Sequence, residues 1–129
     1  MGNITQAGYN LFRDVLRGAV TDGKIKYMAW GTDGTANPNP NNLTQLNAEV
    51  GRKAVTSFVV GGVGILDTIL YMSPEDGAGV NIKEIGFFAG ASATATANTG
   101  IMICRFLFSR DKTALESIQF DLKDIITGS

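Results

Sequence analysis

From Lys24 onward the chain is cut into short runs of apolar and β-branched residues by clusters of glycine, asparagine, proline and serine, a rhythm that favours short strands joined by turns. Lys24 to Trp30 alternates Ile25, Tyr27 and Ala29 against Lys24, Lys26, Met28 and Trp30, the pattern of a strand with one face on a core. Gly31-Thr32-Asp33-Gly34 then turns the chain. The stretch 35–42 holds Pro38 and Pro40 among asparagines, which removes backbone donors and disfavours helix, so it is expected as a surface loop. Further strands are expected at 52–60, 65–72, 80–89, 100–109 and 116–126. Gly61-Gly62-Val63-Gly64 suits a tight hairpin and Ser73 to Gly79 a second turn. Gly90 to Thr99 has almost no side-chain volume to bury and reads as an exposed, mobile loop.

Ahead of the strands, Asn3 or Thr5 can cap a helix running to Leu16 or Arg17, with Leu11, Phe12, Val15 and Leu16 as its apolar stripe. Gly18 and the Asp22-Gly23 pair end it. A stripe of that width covers a sheet and leaves nothing for a partner, so the helix is expected to be structural. Together these elements predict a mainly β fold, a β-sandwich or partly open β-barrel with one N-terminal α-helix, as a single domain over 1–129.

The 129 residues, 44% of them hydrophobic, suffice for one core. Eleven basic against twelve acidic side chains give a net charge of -1, with no bulk attraction to phosphate backbones, so nucleic acid is not an expected partner. The apolar runs fall short of the ~18 residues that span a bilayer, and residues 1–10 lack a signal-peptide layout. The chain therefore reads as soluble and made in the cytoplasm, with no membrane partner.

The core is expected around Ile85, Phe87, Ile103, Phe106 and Phe120, with Phe87 rather than Phe88 on the face of Ile85. Cys104, the one cysteine, lies in the apolar run IMICRFLF and reads as a small buried hydrophobe. There is no histidine, so no Cys-His or Ser-His pair can form. Asp33 is the only carboxylate of its Gly-Thr-Asp-Gly turn, too few for a calcium loop, and Gly61 to Gly64 lacks the lysine and helix of a phosphate cradle. No catalytic residue, cofactor or metal site is expected. Glu84, on a strand face with apolar neighbours, needs a partner; Arg52 is the expected one, in a structural ion pair. Asp111, Lys112, Glu116, Asp121, Lys123 and Asp124 read as a solvated face around a last strand that turns Ile118, Phe120 and Leu122 inward.

Three segments, IKYMAWGTDG (25–34), LNAEVGRKAVTS (46–57) and VNIKEIGFFAG (80–90), follow an opening ITQAGYNLFRDVL. In this order they resemble the N-terminal domain of bacteriophage tail-collar fibre proteins and of related small phage virion proteins. The resemblance implies a non-enzymatic virion structural protein, attached to other phage proteins as a tail, collar or tail-tip component. The chain stops at Ser129 without the fibre shaft of that pattern, which brings in the alternative of a decoration protein on the major capsid protein lattice. A further alternative is a host-receptor or carbohydrate-binding module, with Trp30 and Tyr71 as the aromatic side chains to test. A homo-oligomer, such as a trimer, is expected because a small β domain leaves edge strands uncovered. Attachment is expected through residues 1–3, the loop carrying Asn37, Pro38, Asn39, Pro40 and Asn41, and the loop 90–99.

Overall fold

A computed structural model describes residues 4–39, 42–62 and 65–125, with side chains up to residue 120. The chain is mainly β: one helix is followed by seven strands in two sheets. Helix α1 (Gln6–Leu16) starts where Thr5 caps it, the Thr5 hydroxyl accepting from the Gly8 amide at 3.0 Å. The same hydroxyl donates to the Met102 carbonyl, so the cap also ties the helix to a strand. Gly8 and Leu11 are buried and Phe12 packs on the core, whereas Val15 and Leu16 are exposed, Leu16 by 88%. The buried stripe thus begins a turn earlier than the sequence pattern suggests, because Gly8 lets the helix approach the Ile103 backbone closely.

Strands β1 (Ile25–Gly31), β2 (Glu49–Ala54), β5 (Asn81–Ala89) and β6 (Ile101–Asp111) form a four-stranded sheet in the order β2-β1-β5-β6. Strands β3 (Ser57–Gly62), β4 (Ile65–Met72) and β7 (Ile118–Ile125) form a three-stranded sheet in the order β3-β4-β7. All the pairings are antiparallel. The run expected as one strand at 52–60 is two strands in different sheets. Val55 donates to Lys26 O at 2.8 Å and Thr56 to Ile69 O at 2.9 Å, so consecutive amides bond to opposite sheets and the chain crosses between them there. Gly62 pairs with Ile65, which makes β3 and β4 a hairpin; its turn, residues 63–64, lies outside the described residues.

One core draws on both sheets and the helix: Met28, Trp30, Ile85, Phe87 and Ile103 from the larger sheet, Leu70, Met72 and Phe120 from the smaller, and Leu11 from α1. Phe87 shares it with Ile85 as expected, and Phe106 and Phe120 pack there too. Strand β1 departs from its expected alternation. A register shift between Ile25 and Tyr27 reverses the faces, so Ile25, Met28 and Trp30 point to the main core while Tyr27 and Ala29 point away. A second, smaller cluster lies on the opposite face of the larger sheet, where Ala29, Phe88 and Met102 are covered by Leu46 and Ala93 from two loops. The larger sheet is therefore buried on both faces at its centre.

Candidate functional site

The two loops that cover this second face are residues 32–48, between β1 and β2, and residues 90–100, between β5 and β6. Both are held by arginine. In the sheet register Arg52, Ala29, Gly86 and Arg105 form one cross-strand row, and Glu49, Gly31 and Glu84 form the next. Arg52 forks onto Glu49, with Nε to Oε2 at 2.7 Å and Nη2 to Oε1 at 2.8 Å. Arg105 Nε meets Glu84 Oε1 at 2.8 Å. All four side chains are essentially withdrawn from water, which only a well-satisfied charge pair sustains.

The structure thus corrects the expected Arg52–Glu84 pair. Arg52 lies on β2 and Glu84 on β5, with β1 between them, and each takes a nearer partner. For Arg52 that partner is three residues away in its own strand, brought onto the same face by the register shift between Trp30 and Gly31. A register shift between Ile82 and Glu84 turns Glu84 onto the face opposite Ile82, within reach of Arg105.

Each pair then grips backbone. Arg52 Nη1 donates to the Thr94 and Thr99 carbonyls at 3.0 Å each, and Glu49 Oε1 accepts the Asn98 amide at 3.2 Å. The Arg52 guanidinium also stacks 4.5 Å from the Phe88 ring centre. Arg105 Nη2 donates to the carbonyls of Asp33 and Thr35 at 3.1 Å each, while the Glu84 carboxylate accepts the amides of Asn47 at 2.9 Å and Ala48 at 2.8 Å. The loop 90–99, expected to be mobile, is instead fastened at both ends, and Ala93 is buried beneath it. Thr94 and Thr99 also bond to each other.

Among the expected attachment residues, Asn37 is half-buried and accepts the Asn39 amide at 2.8 Å, and Pro38 and Asn39 are exposed. Pro40 and Asn41, like residues 1–3, lie outside the described residues. Trp30 is buried in the main core against Gly51 and cannot meet a sugar. Tyr71 is 42% exposed, on a flat strand beside Lys53 rather than on a loop.

Lys112 departs from its expected place on a solvated face. Its side chain is buried, and Nζ donates to the carbonyls of Ser73 at 3.2 Å, Pro74 at 3.0 Å and Thr113 at 3.1 Å, closing the turn 73–79. Alternation alone gives no hint of this, since the three acceptors come from turns. Across that turn the Asp76 carboxylate takes Lys53 and the Ser73 amide and hydroxyl. Partial burial pushes its pKa up, but these hydrogen bonds outweigh it and hold the group below the ordinary aspartate value. The turn carboxylate of Asp33 is likewise lowered, by hydrogen bonds from Thr35.

An open cleft of about 510 Å³ lies where the chain crosses between sheets, lined by Lys24, Lys26, Tyr27, Thr56, Phe58 and Ala93 among others. Lys26 is paired with Asp22 at 2.6 Å and Lys24 lies over the Phe58 ring, and the residues that line the cleft itself include no carboxylate or thiol. Among the described residues no group of three or more Cys, Asp or Glu gathers to hold a metal, and no helix is long and apolar enough to cross a membrane. No protein-family model matches the chain, and no curated protein matches it at a significant level.

Proposed function

We propose that this chain is a non-enzymatic structural protein of a bacteriophage particle, carried in several copies as a tail, collar or tail-tip component. One observation carries the reading. The segments that resemble the tail-collar fibre domain converge on one face of the larger sheet: Gly31 and Asp33 from the first, Glu49 and Arg52 from the second and Glu84 from the third contribute to the two arginine grips, which Arg105, from outside the three segments, completes. A match of scaffold residues scattered over 50 positions would mean little; a match that assembles one buried charge layer supports a shared architecture, with the two sheets closing as a β-sandwich.

The chemistry of the layer agrees with a docking role. Both carboxylates and both guanidiniums direct hydrogen bonds to each other and to loop backbone, which is the work of a scaffold. What they hold in place is a surface rich in small polar residues, with Ser92, Thr94, Thr96 and Asn98 on one loop, and Asn37 and Asn39 on a second loop held at Asp33, Thr35, Asn47 and Ala48. Ordering the loops before contact reduces the entropy lost on binding. Partners on the particle are tail or baseplate proteins; the capsid-decoration alternative replaces them with the major capsid protein.

The test is quantitative mass spectrometry of purified particles from a phage encoding this chain. A few copies per particle support the tail assignment, and a copy number matching the capsid lattice supports decoration. Absence from washed particles overturns the proposal.

A further inference from the structure

Four strands stand at the edges of the two sheets, and three of them are guarded against pairing with another chain. Strand β2 carries Glu49, Arg52 and Lys53. Strand β6 carries Arg105, Arg110 and Asp111, and the N-terminal segment lies along it, Ile4 bridging Cys104 and the Thr5 amide donating to Ile103 O at 2.8 Å. Strand β7 carries Asp121, Lys123 and Asp124. Charges and covering segments of this kind are the usual means by which edges are kept apart.

Strand β3 carries no charge of its own and no covering segment, although the Lys24 ammonium lies over the Phe58 ring at its start. It reads Ser-Phe-Val-Val-Gly-Gly, without charge or proline, and Phe58, Val59 and Val60 are 36%, 48% and 80% exposed. Its one strand neighbour is β4, and among the described residues no loop backbone bonds to it. Its register shift, the feature that twists an edge away, falls between Val60 and Gly62, past the regular stretch 57–60.

We propose that β3 is a self-association edge, on which β3 of a second copy adds antiparallel about a two-fold axis and joins two three-stranded sheets into one of six. This rests on the multi-copy reading above and names its contact. Electrostatics favour a second copy. In a pairing centred on Val59, Phe58 faces Val60 of the second copy, and no charged residue of β3 faces its own kind. The nearest carboxylate in the sheet, Asp67, sits opposite Val59 on β4. The two Asp67 residues would be three strand spacings apart, ~14 Å, beyond the screening length at physiological salt. The same operation at β2 would bring Lys53 toward its own copy. Beyond Ser57, β3 offers no polar side chain to select a different strand.

The experiment is multi-angle light scattering of the full chain beside Val59→Lys, Val60→Lys and, as a control on the edge of the other sheet, Val50→Lys, with circular dichroism reporting the fold. The wild type and Val50→Lys are expected at twice the chain mass, and the two β3 variants at half that value with unchanged spectra. An oligomer that survives both β3 lysines overturns the edge and leaves the multi-copy reading standing. A trimeric mass overturns it as well, since two-fold pairing closes at two copies. A monomeric wild type at its solubility limit overturns self-association through β3; copy number in particles then decides the multi-copy reading separately. Should Val59→Lys unfold, Val60→Lys decides alone, at a position already open to water.

Discussion

Glu49 and Glu84 lie on either side of Gly31, each its cross-strand partner, one on β2 and the other on β5. The glycine between them is what lets two buried carboxylates and the loops they hold close over one face. A Cβ at Gly31 would strike the Glu84 carboxylate and approach the Ala48 carbonyl to 2.6 Å. Gly31→Ala is therefore expected to destabilise by about 1–3 kcal/mol, as overpacking does. Hydrogen exchange at the Asn47 and Ala48 amides should rise more than in the main core, because their acceptor is displaced; uniform loss of protection would mean that the glycine serves the whole sheet.

The two ion pairs should behave as separate units. Removing either partner of a buried pair costs about 3–5 kcal/mol, since the other charge is left stranded. In double-mutant cycles Arg52 is expected to couple to Glu49 and Arg105 to Glu84, while Arg52 and Glu84, which share no contact, add to within about 0.5 kcal/mol. Denaturant unfolding of the single and double alanine variants measures this, and strong coupling of Arg52 to Glu84 would contradict the register described.

Much of this architecture is legible locally. The Thr5 cap, the β3–β4 hairpin and the placing of Phe87 on the face of Ile85 all follow from residues a few positions apart. What escapes is set by distant chain. Nothing between Arg52 and Val60 breaks the strand pattern, yet the run splits because two sheets compete for successive amides at Val55 and Thr56. The partner of Arg52 depends on strand order, and the faces of β1 and β5 on register shifts that no residue type announces. Lys112 looks like any surface lysine until the turn 73–79 folds over it.

That lysine gives a third expectation. Lys112→Met keeps the buried stem but removes the donor shared by three part-buried carbonyls, a loss of about 1–3 kcal/mol in total. Thermal unfolding should show a clear loss. Little change would mean that water replaces the ammonium.

Acid should act on the same turn. Because the folded-state pKa of Asp76 is depressed, its contribution to stability is present above the unfolded value, near pH ~4, and fades as the pH falls through the depressed value. Asp76→Asn is expected to be less stable than the wild type at neutral pH and to converge with it in acid. Melting temperatures measured for both across that range check the sign; a gap that persists or widens at low pH contradicts it.

Occupancy of particles tests the docking role most directly. Deleting Asn37 to Asn41 shortens the chain between the held residues Thr35 and Asn47 without touching either ion pair, and the domain should stay folded by circular dichroism. The account predicts that the deleted protein, supplied in place of the wild type, is present in purified particles at a small fraction of normal occupancy. A folded variant that incorporates at full occupancy would contradict the assignment of this face as the attachment surface.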